Sequence, residues 1–503
     1  MKPLLRRDAV RALDRDAIER LKVPGVVLME NAGLGAAQLL MREFSGAALE
    51  RVLIVGGVGQ NGGDAWVVAR QLALRGIRPR CVLVGDPAKV QGDAAVNLQA
   101  LRALGLEPEI CQGSLDALRV QLAQASLVVD GLFGTGLDRD ITGFYADAIT
   151  AINDAGRPVF ALDLPSGVDA DTGQVRGVAV RASFTATFAA HKPGLHQFPG
   201  AALAGRSECV AIGVPLAPDQ PWGIIEPEDV ARAVTPRPLD AHKGTNGRVL
   251  ILAGSRGKTG AALLSAISAL RAGAGLVTIA SDAETQRVLE HKVLEVMTEA
   301  LSDDDALADA LRLAEARDVA LLGPGFGLTP DKRTLAIELA RQLPVPCVLD
   351  ADALTALGTD VDLLQYAKGP RVLTPHPGEA ARLLGCTVPA VEADRCGSAQ
   401  RLAEASGQVV VLKGARTVIA SPSGLLRVCT AGTPALGTAG TGDVLAGLIA
   451  TLTVSLRPFQ AAWAGVELHA RAGTLAVQGD RGLVASDVTR FLAAALEQCR
   501  GRD

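Results

Sequence analysis

A glycine-rich turn with a single carboxylate is the part of this sequence whose residue types point most directly to chemistry. Residues 437–447 are Gly-Thr-Ala-Gly-Thr-Gly-Asp-Val-Leu-Ala-Gly, so Asp443 stands where the turn runs into an apolar helix. Free backbone amides and the helix dipole at such a turn favour phosphate oxygens. Since a carboxylate repels phosphate, Asp443 is better explained as a base that deprotonates a hydroxyl attacking a terminal phosphate. The alternative is an ordinary N-cap aspartate.

Three further segments of the second half favour a nucleotide site. Lys413 to Thr417 follow a predicted buried strand and offer a cation and backbone amides to a nucleotide. Residues 374–379 are predicted to form a rigid turn that presents His376, and residues 323–327 form a glycine-rich turn at a strand end, where backbone can approach a ligand closely. Taken alone, His376 could be a packed or surface residue and Lys413 a solvated charge.

The first half carries two aspartates at predicted strand ends. Asp130 and Asp163 each end an apolar run and precede a glycine-containing loop, and Asn61 lies in the loop after the first strand. Ligands of open parallel sheets bind outside the carboxyl ends of the strands, so these side chains are expected to converge. Their oxygens suit a hard cation or a proton-transfer site. The alternative is that each aspartate only caps a helix or shapes a turn.

The first loop also matches a dinucleotide fingerprint. Gly57, Gly59 and Gly62 have the required spacing, and Asp86 follows a second strand at about the expected distance, which makes an NAD dehydrogenase an alternative. Polar residues in this loop, such as Gln60, stand where the fingerprint has small apolar residues, and this weakens the match.

Two series of short aliphatic runs, each alternating with helix-length segments, must position these residues. Each series opens with a strand and a glycine-rich loop, at residues 51–64 and 248–257. The pattern predicts an α/β protein with two doubly wound α/β/α domains, because parallel sheets covered on both faces need continuous aliphatic strands. Six prolines between Pro215 and Pro238 indicate a linker, so we expect domains 1–220 and 221–503.

Composition excludes several classes of protein. The 503 residues contain 50 Lys and Arg against 54 Asp and Glu, giving 50 − 54 = −4, which argues against a nucleic-acid binder. With 49% hydrophobic and 21% charged residues the chain is not disordered. The eight cysteines include no C-x-x-C pair, the start lacks an apolar signal core, and residues 444–456 are too short to cross a bilayer. We therefore expect a cytoplasmic protein with small-molecule partners and no membrane or nucleic-acid partner.

These motifs, in this order, resemble a known family. The second half resembles the ribokinase-like superfamily, and more narrowly the nucleotide-dependent NAD(P)H-hydrate dehydratases. The first half is similar to NAD(P)H-hydrate epimerase domains, which are Rossmann-like. The two together resemble the bifunctional NAD(P)H-hydrate repair enzymes over nearly the whole chain. The segments that carry the resemblance are 61–64, 133–136, 163–167, 242–244, 322–325, 373–379, 411–415 and 440–447.

The resemblance implies a role for specific residues. It implies potassium in the epimerase domain and Mg²⁺ with ADP (or ATP) in the dehydratase domain. The implied potassium ligands are Asn61, Asp130 and Ser166. The implied contacts of the epimerase site with its hydrated substrate are Gln60, Asn61, Gly62, Gly63, Asp64, Gly134, Thr135, Gly136, Leu137, Asp138, Arg139, Asp140 and Asp163. In the dehydratase site the implied substrate contacts are Ala261, Gly325, His376 and Asp443, and the implied nucleotide contacts are Lys413, Gly414, Ala415, Arg416, Thr417 and Gly442.

Two loops depart from the family pattern. The first loop reads Val58-Gly59-Gln60-Asn61 where the family usually has a proline and two asparagines, and Ala65 and Ala439 stand where glycines are more usual. Gln60 keeps the amide chemistry on a longer arm.

The resemblance also implies a reaction for each half. Hydrated NADH or NADPH carries a hydroxyl on the ring carbon beside nitrogen, and Asp443 would deprotonate this hydroxyl for attack on the terminal phosphate of ADP, giving AMP and phosphate. Asp163 is the candidate for proton transfer when the first half interconverts the R and S hydrates. Two alternatives stay open: a small-molecule kinase fused to a binding domain, and a non-catalytic nucleotide-binding scaffold. We also expect a homo-oligomer, with the predicted helices 9–21 and 26–44 free to dock on a partner.

Overall fold

The structure is a computed structural model that describes residues 1–501. The chain forms two compact units, one made of Lys2–Gln220 and the other beginning at Pro221. None of the helices of residues 1–501 is long and apolar enough to cross a membrane.

The first unit is built on a parallel sheet of seven strands. The two-residue strand β1 (Lys2–Pro3) precedes this sheet and is not part of it. The seven strands of the sheet are β2 (Val52–Gly56), β3 (Arg80–Val84), β4 (Glu109–Cys111), β5 (Leu127–Gly131), β6 (Val159–Leu162), β7 (Phe184–Phe188) and β8 (Arg206–Val210). Its helices are α1 (Arg7–Glu19), α2 (Gly25–Glu43), α3 (Gln60–Ala73), α4 (Gly92–Ala103), α5 (Asp116–Gln124), α6 (Gly143–Asp154) and α7 (Gly200–Leu203). The sheet order is β4-β3-β2-β5-β6-β7-β8.

Strand β2 shows why these runs become central strands. All five of its residues are buried. Val52 and Ile54 pack into a core cluster on one face of the sheet, and Leu53 and Val55 pack into a cluster on the other face. A strand with apolar layers on both sides must be apolar at every position. The connection reverses direction at β2, which pairs with β3 on one side and β5 on the other, so a crevice opens at the carboxyl ends of β2 and β5.

The second unit contains a larger mixed sheet. Its strands are β9 (Trp222–Ile224), β10 (Arg248–Leu252), β11 (Leu276–Asp282), β12 (Met297–Leu301), β13 (Val319–Leu322), β14 (Cys347–Leu349), β15 (Arg371–Leu373), β16 (Val409–Leu412), β17 (Val418–Ala420) and β18 (Leu426–Val428), and they run in the order β9-β18-β17-β16-β15-β14-β13-β10-β11-β12. Its helices are α8 (Pro227–Ala233), α9 (Thr259–Ala272), α10 (Ala283–Glu290), α11 (Ala306–Glu315), α12 (Pro330–Gln342), α13 (Asp352–Leu357), α14 (Pro377–Leu383), α15 (Val388–Ala393), α16 (Arg395–Ser406), α17 (Thr441–Thr453), α18 (Pro458–Ala476) and α19 (Ala485–Cys499).

The predicted α/β class is confirmed, but one part of the second sheet differs from the sequence expectation. Strand β17 pairs antiparallel with both β16 and β18. The sequence pattern predicted only parallel strands, which alternate with helices, whereas β16, β17 and β18 follow one another with no helix between them. The proline-rich segment holds β9 and α8, which belong to the second unit.

Helix α17 follows the glycine-rich turn and is almost completely buried. It packs closely on α9, and a Cβ atom at Gly447 would lie 2.2 Å from the carbonyl oxygen of Ser265. Two serines of α9 bind the first turns of α17: Ser265 Oγ donates to the Asp443 carbonyl oxygen at 3.0 Å, and Ser268 Oγ donates to the Val444 carbonyl oxygen at 2.6 Å. The position of Asp443 therefore depends on the contact between these two helices.

Candidate functional sites

The first unit contains a cavity of about 630 Å³ at the carboxyl ends of its central strands. Most of the residues that the sequence predicted for this site line it: Gln60, Asn61, Asp64, Gly134, Thr135, Gly136, Leu137, Asp138, Arg139 and Asp163. Gly62, Gly63 and Asp140 are not among the lining residues. A Cβ atom at Gly62 would lie 2.0 Å from the Gly57 carbonyl oxygen, and one at Gly63 would lie 2.5 Å from the Met29 sulfur. In this structure these two glycines let α3 pack tightly.

Asp163 is held in the wall of this cavity by a buried lysine. Lys192 is fully buried, and its Nζ donates to Asp163 Oδ1 at 2.5 Å, to Thr187 Oγ1 at 2.9 Å and to the Phe188 carbonyl oxygen at 2.7 Å. The other Asp163 oxygen, Oδ2, accepts hydrogen bonds from the Thr135 backbone at 2.9 Å and from its hydroxyl at 2.5 Å. Burial raises the pKa of Asp163, but the charge of Lys192 and these hydrogen bonds outweigh burial, so the net pKa is lowered.

Two other carboxyls of the cavity have raised pKa values, unlike Asp163. Asp64 is 9% exposed, and burial, together with the charges of Asp163 and Asp14, places its pKa well above the usual value. Burial also raises the pKa of Asp14, which reaches the cavity from α1. The cavity thus contains ionised and neutral carboxyls side by side.

Asn61, which lines the cavity, and the buried residues Asp130 and Ser166 supply oxygen atoms that could hold a cation. Asp130 is fully buried and accepts hydrogen bonds from the Ser166 hydroxyl at 2.7 Å and the Ser166 backbone at 2.8 Å. Burial nevertheless raises the pKa of Asp130 to about 6. Both amide atoms of Asn61 are buried and lack a hydrogen-bond partner in the described chain. An unsatisfied amide oxygen near a buried carboxylate and a hydroxyl fits a hard monovalent cation.

The sequence did not identify Lys192 or Asp14. Neither lies in a glycine-rich motif, and Asp14 belongs to a helix that begins far from the sheet in sequence. The available signal was a lysine shortly after the buried strand β7, since lysine is rarely buried without a partner.

In the second unit, Asp443 is the third residue of α17. Gly440 is the N-cap residue and has φ of +90°, a left-handed conformation that favours glycine. Asp443 is therefore not the N-cap aspartate of the alternative interpretation. Burial, followed by the nearby charge of Asp350, raises its pKa to about 7 against the opposing effect of Lys413.

Lys413 lies beside the same turn. A Cβ atom at Gly442 would lie 3.3 Å from Lys413 Nζ, and this Nζ donates to Asp350 Oδ1 at 2.6 Å. Burial lowers the pKa of Lys413, but Asp350 and Glu379 outweigh it, so the lysine stays protonated. Sequence reasoning missed Asp350, which follows β14 and also accepts a hydrogen bond from the Thr374 hydroxyl at 2.8 Å. Its position at a strand end was the available signal.

The predicted rigid turn around His376 is the start of a helix. His376 is the N-cap residue of α14, and its Nδ1 accepts hydrogen bonds from the Gly378 backbone at 3.0 Å and the Glu379 backbone at 3.3 Å. Its side chain is 57% exposed, and burial followed by the charge of Lys413 lowers its pKa. Its other ring nitrogen, Nε2, lies 3.6 Å from Glu379 Oε1.

The remaining predicted residues fall into two groups. Gly325 lies against the start of α9, because a Cβ atom there would be 3.3 Å from the Ala261 Cβ. The segment 413–417 connects β16 to β17, and Gly414 and Arg416 have φ of +136° and +60°. Arg416 donates to the Thr430 carbonyl oxygen at 2.8 Å, so part of its guanidinium is already engaged.

Comparison with known proteins identifies both halves. Residues 249–492 match the family model described as NAD(P)H-hydrate dehydratase, and residues 25–194 match the model described as YjeF-related protein N-terminus. The bifunctional NAD(P)H-hydrate repair enzyme Nnr of Moorella thermoacetica is 43% identical over 502 residues, covering 96% of this chain and 94% of that protein. This chain belongs to the family of bifunctional NAD(P)H-hydrate repair enzymes.

Other members of the repair-enzyme family align equally completely. The Escherichia coli K12 protein of the same name is 34% identical over 96% of this chain and 91% of its own length. Among solved structures, the ADP/ATP-dependent NAD(P)H-hydrate dehydratase from Bacillus subtilis, co-crystallised with ATP and Mg²⁺, is 29% identical and covers 55% of this chain and 98% of its own, with a TM-score of 0.48. The resemblance inferred from the motifs is confirmed, and with it the bifunctional enzyme class. The dehydrogenase, kinase and scaffold alternatives were wrong.

Proposed function

We propose that residues 1–220 are an epimerase domain that interconverts the R and S hydrates of NADH and NADPH, and that residues 221–503 are a dehydratase domain that uses ADP to return the S hydrate to NAD(P)H. The observation that carries this proposal is the buried Asp443 beside Lys413 at the glycine-rich start of α17. A carboxylate with a pKa of about 7 accepts a proton at neutral pH more readily than an exposed aspartate.

Dehydration needs activation because hydroxide is a poor leaving group. Asp443 takes the proton of the substrate hydroxyl, whose oxygen attacks the terminal phosphate of ADP. The amides at the start of α17 and the Lys413 ammonium stabilise the charge that develops on this phosphate. The lone pair of the ring nitrogen then expels phosphate and loss of a ring proton restores the reduced nicotinamide, while AMP is released. His376, Gly325 and Ala261 contact the hydrated substrate, and residues 413–417 with Gly442 contact the nucleotide.

Mg²⁺ enters this site with the nucleotide. Magnesium keeps several water ligands and binds substrate phosphates together with one or two carboxylates. No group of three or more His, Cys, Asp or Glu side chains within residues 1–501 is arranged to hold a metal alone. The buried Asp350 and Glu379, both close to Lys413, fit an ion carried by phosphates rather than a preformed cage. Bound there, Mg²⁺ would neutralise phosphate charge.

Potassium is proposed for the first domain, held by Asn61, Asp130 and Ser166. The unpartnered Asn61 amide and the buried Asp130 carboxyl support this donor set. A potassium ion there would supply positive charge next to Asn61, which lines the substrate cavity. Asp163 transfers the proton during epimerisation, and the cavity residues from Gln60 to Asp64 and from Gly134 to Asp140 contact the substrate.

Two broader properties complete the proposal. We propose a cytoplasmic enzyme, since all eight cysteines are free thiols, as in proteins of a reducing compartment. We also propose a homo-oligomer that uses α1 and α2, where Ile18 and Val27 are 45% and 42% exposed. Light scattering of the purified chain, compared with that of a double variant Ile18→Lys, Val27→Lys, tests the second point; equal masses at the monomer value would contradict it.

One assay tests the enzymatic proposal. The purified chain is incubated with chemically hydrated NADH, with ADP, ATP or neither, and recovery of the reduced-nicotinamide absorbance is followed. We expect full, ADP-dependent recovery from mixed epimers. Nucleotide consumption without absorbance recovery would contradict the proposed assignment of the dehydratase site.

Two variants test the division of labour. Asp443→Asn should abolish recovery while the epimers still interconvert, and Asp163→Asn should consume the S hydrate and leave the R hydrate behind. Asp116→Asn is the control, since this side chain is 85% exposed on α5. If Asp443→Asn recovers absorbance near the wild-type rate, the assignment of the base is wrong.

A further inference from the structure

Four ionisable residues that interact electrostatically line the cavity of the first unit: Asp14, Asp64, Asp163 and Lys192. The other ionisable residues of its lining are Arg11, Asp93, Asp138, Arg139 and Tyr145. The four interacting residues come from different parts of the fold: Asp14 from α1, Asp64 from α3, Asp163 from the end of β6 and Lys192 from the segment after β7. Epimerisation at a carbon beside nitrogen needs both a proton acceptor and a proton donor, so these four groups are candidates for both.

Asp163 is the carboxyl fixed as an anion. One of its oxygens is bound by the Lys192 ammonium, and the other is bound by the backbone and hydroxyl of Thr135. Lys192 is fully buried and its Nζ has two further acceptors, Thr187 Oγ1 and the Phe188 carbonyl oxygen, so these hydrogen bonds hold its position beside Asp163. With these three hydrogen bonds, Lys192 is paired with Asp163 and not with another carboxyl of the cavity.

Asp64 is the carboxyl left without such support. It lines the cavity and is buried to nine-tenths, and burial is the largest cause of its raised pKa. The charged groups that face it are Asp163, Asp14 and Lys192, and the effect of the two carboxyls exceeds that of the lysine, whose ammonium binds Asp163. A buried carboxyl such as Asp64 that has no cation bound to it favours its neutral, protonated form.

We propose that Asp64 is the general acid that acts together with Asp163 in this cavity, and that Lys192 is the positioning residue that assigns the two roles. The proposal rests on the epimerase function proposed above. Two carboxyls whose surroundings drive them to opposite protonation states form an acid–base pair.

The step balances without any further reagent. Asp163 takes the proton of the hydroxyl on the ring carbon, the carbon–oxygen bond becomes a carbonyl, and the bond from this carbon to the ring nitrogen breaks. The electron pair goes to the nitrogen, which receives the proton of Asp64. After the aldehyde turns its other face, the nitrogen attacks it and returns the proton to Asp64, while the oxygen recovers the proton held by Asp163. The product is the opposite epimer, with no oxidant or reductant consumed.

Asparagine substitutions test the acid. Asp64→Asn keeps the size and the neutral state of the side chain but has no transferable acidic proton, so we expect epimerisation to fall by about 100-fold or more. Asp116→Asn is the exposed control of the same unit and should keep the wild-type rate. Asp14→Asn should reduce the rate less than Asp64→Asn. A large loss in Asp14→Asn with a near-normal rate in Asp64→Asn would overturn the assignment.

A pH profile tests Lys192. In the wild type we expect a bell-shaped rate of epimerisation, falling at low pH as Asp163 is protonated and falling at high pH as Asp64 loses its proton. Lys192→Met should move the acidic limb to higher pH, because Asp163 loses its cation. A merely structural lysine would lower thermal stability without moving this limb, and that result would overturn its positioning role.

The readouts separate this inference from the proposed function. If wild-type protein fails to interconvert purified R and S hydrates, the epimerase function itself is wrong. If the wild type interconverts them and Asp64→Asn, shown by circular dichroism to be folded, keeps more than half of that rate, only the role of Asp64 is wrong.

Discussion

Asp163 and Asp443 are the same residue type, yet their surroundings move their pKa values in opposite directions. Burial raises the pKa of both carboxyls. Asp163 also binds a fully buried lysine at 2.5 Å, which lowers its pKa. Asp443 lies close to Asp350, which raises its pKa further, and Lys413 only partly offsets this increase. The groups around each residue therefore determine that Asp163 is ionised at neutral pH and that Asp443 exchanges its proton there.

Dehydration should depend on the ionisation of Asp443. A base acts only when it is deprotonated, so kcat/KM for the S hydrate should rise as pH rises through about 7 and then level off. The measurement is initial-rate kinetics from pH 5.5 to 9 at saturating ADP. A rate that is flat between pH 6 and 8 would contradict the assigned base.

The same carboxyl should reduce the stability of the second unit at high pH. Its folded-state pKa of about 7 exceeds the unfolded value of 3.8, so its contribution is fully present below pH 3.8 and is lost as pH rises through about 7. Asp443→Asn removes this loss, and we expect the variant to be about 1–4 kcal/mol more stable than wild type at pH 8. Near pH 4 the two should differ little. Urea unfolding at both pH values, following the transition that ADP shifts, makes the comparison.

Potassium should stabilise the first unit. The ion would offset the buried Asp130 carboxylate and satisfy the Asn61 amide oxygen. Replacing potassium by choline at equal ionic strength should lower the stability of this unit by about 1–2 kcal/mol and slow epimerisation. Asp130→Asn should abolish the difference between the two salts. Equal melting curves of the wild type in both salts would exclude the site.

At the scale of elements, the dehydratase site depends on how α17 is held. The left-handed Gly440 starts the helix, and two serines of α9 bind the carbonyls of its first turns. The close contact of α9 and α17 requires Gly447, since no side chain fits against the Ser265 carbonyl.

Gly447→Ala should separate these helices. A Cβ atom 2.2 Å from a backbone oxygen forces a shift, with an expected cost of about 1–3 kcal/mol and a reduced rate of dehydration. Gly260→Ala on α9 is the matched control for stability: a Cβ atom there meets nothing within 4 Å, so the change should be neutral or stabilising by up to about 1 kcal/mol. Thermal unfolding and the hydrate assay measure both effects, and unchanged values for Gly447→Ala would contradict the packing argument.

At the scale of the whole molecule, each unit has its own sheet and its own core. The clusters around β2 belong to the first unit, and the cluster around α17 belongs to the second. Each unit also contains a complete set of the residues proposed for its reaction. We therefore expect each half to carry out its reaction with its own side chains.

Two variants that each lack one of the two activities should complement each other. A mixture of Asp163→Asn, which retains dehydration, and Asp443→Asn, which retains epimerisation, should repair the R hydrate, because the S hydrate can diffuse from one chain to the other. Each variant alone should leave the R hydrate unrepaired. Absorbance recovery at increasing total protein concentration provides the measurement, and a mixture that stays inactive would show that substrate must pass within one chain.

Local patterns along the chain predicted the fold class, and the motifs they contain carried the resemblance that gave the family and most of the candidate residues. Buried parallel strands need apolar residues at every position, and a turn that approaches phosphate needs glycines, so both leave local patterns such as residues 51–64 and 437–447. Only the tertiary structure decided the pairing of Lys192 with Asp163, the approach of Asp14 and Asp64, and the place of Asp350 beside Lys413. These groups are far apart in sequence, and their protonation depends on burial and on neighbouring charges, which exist only once the chain is folded.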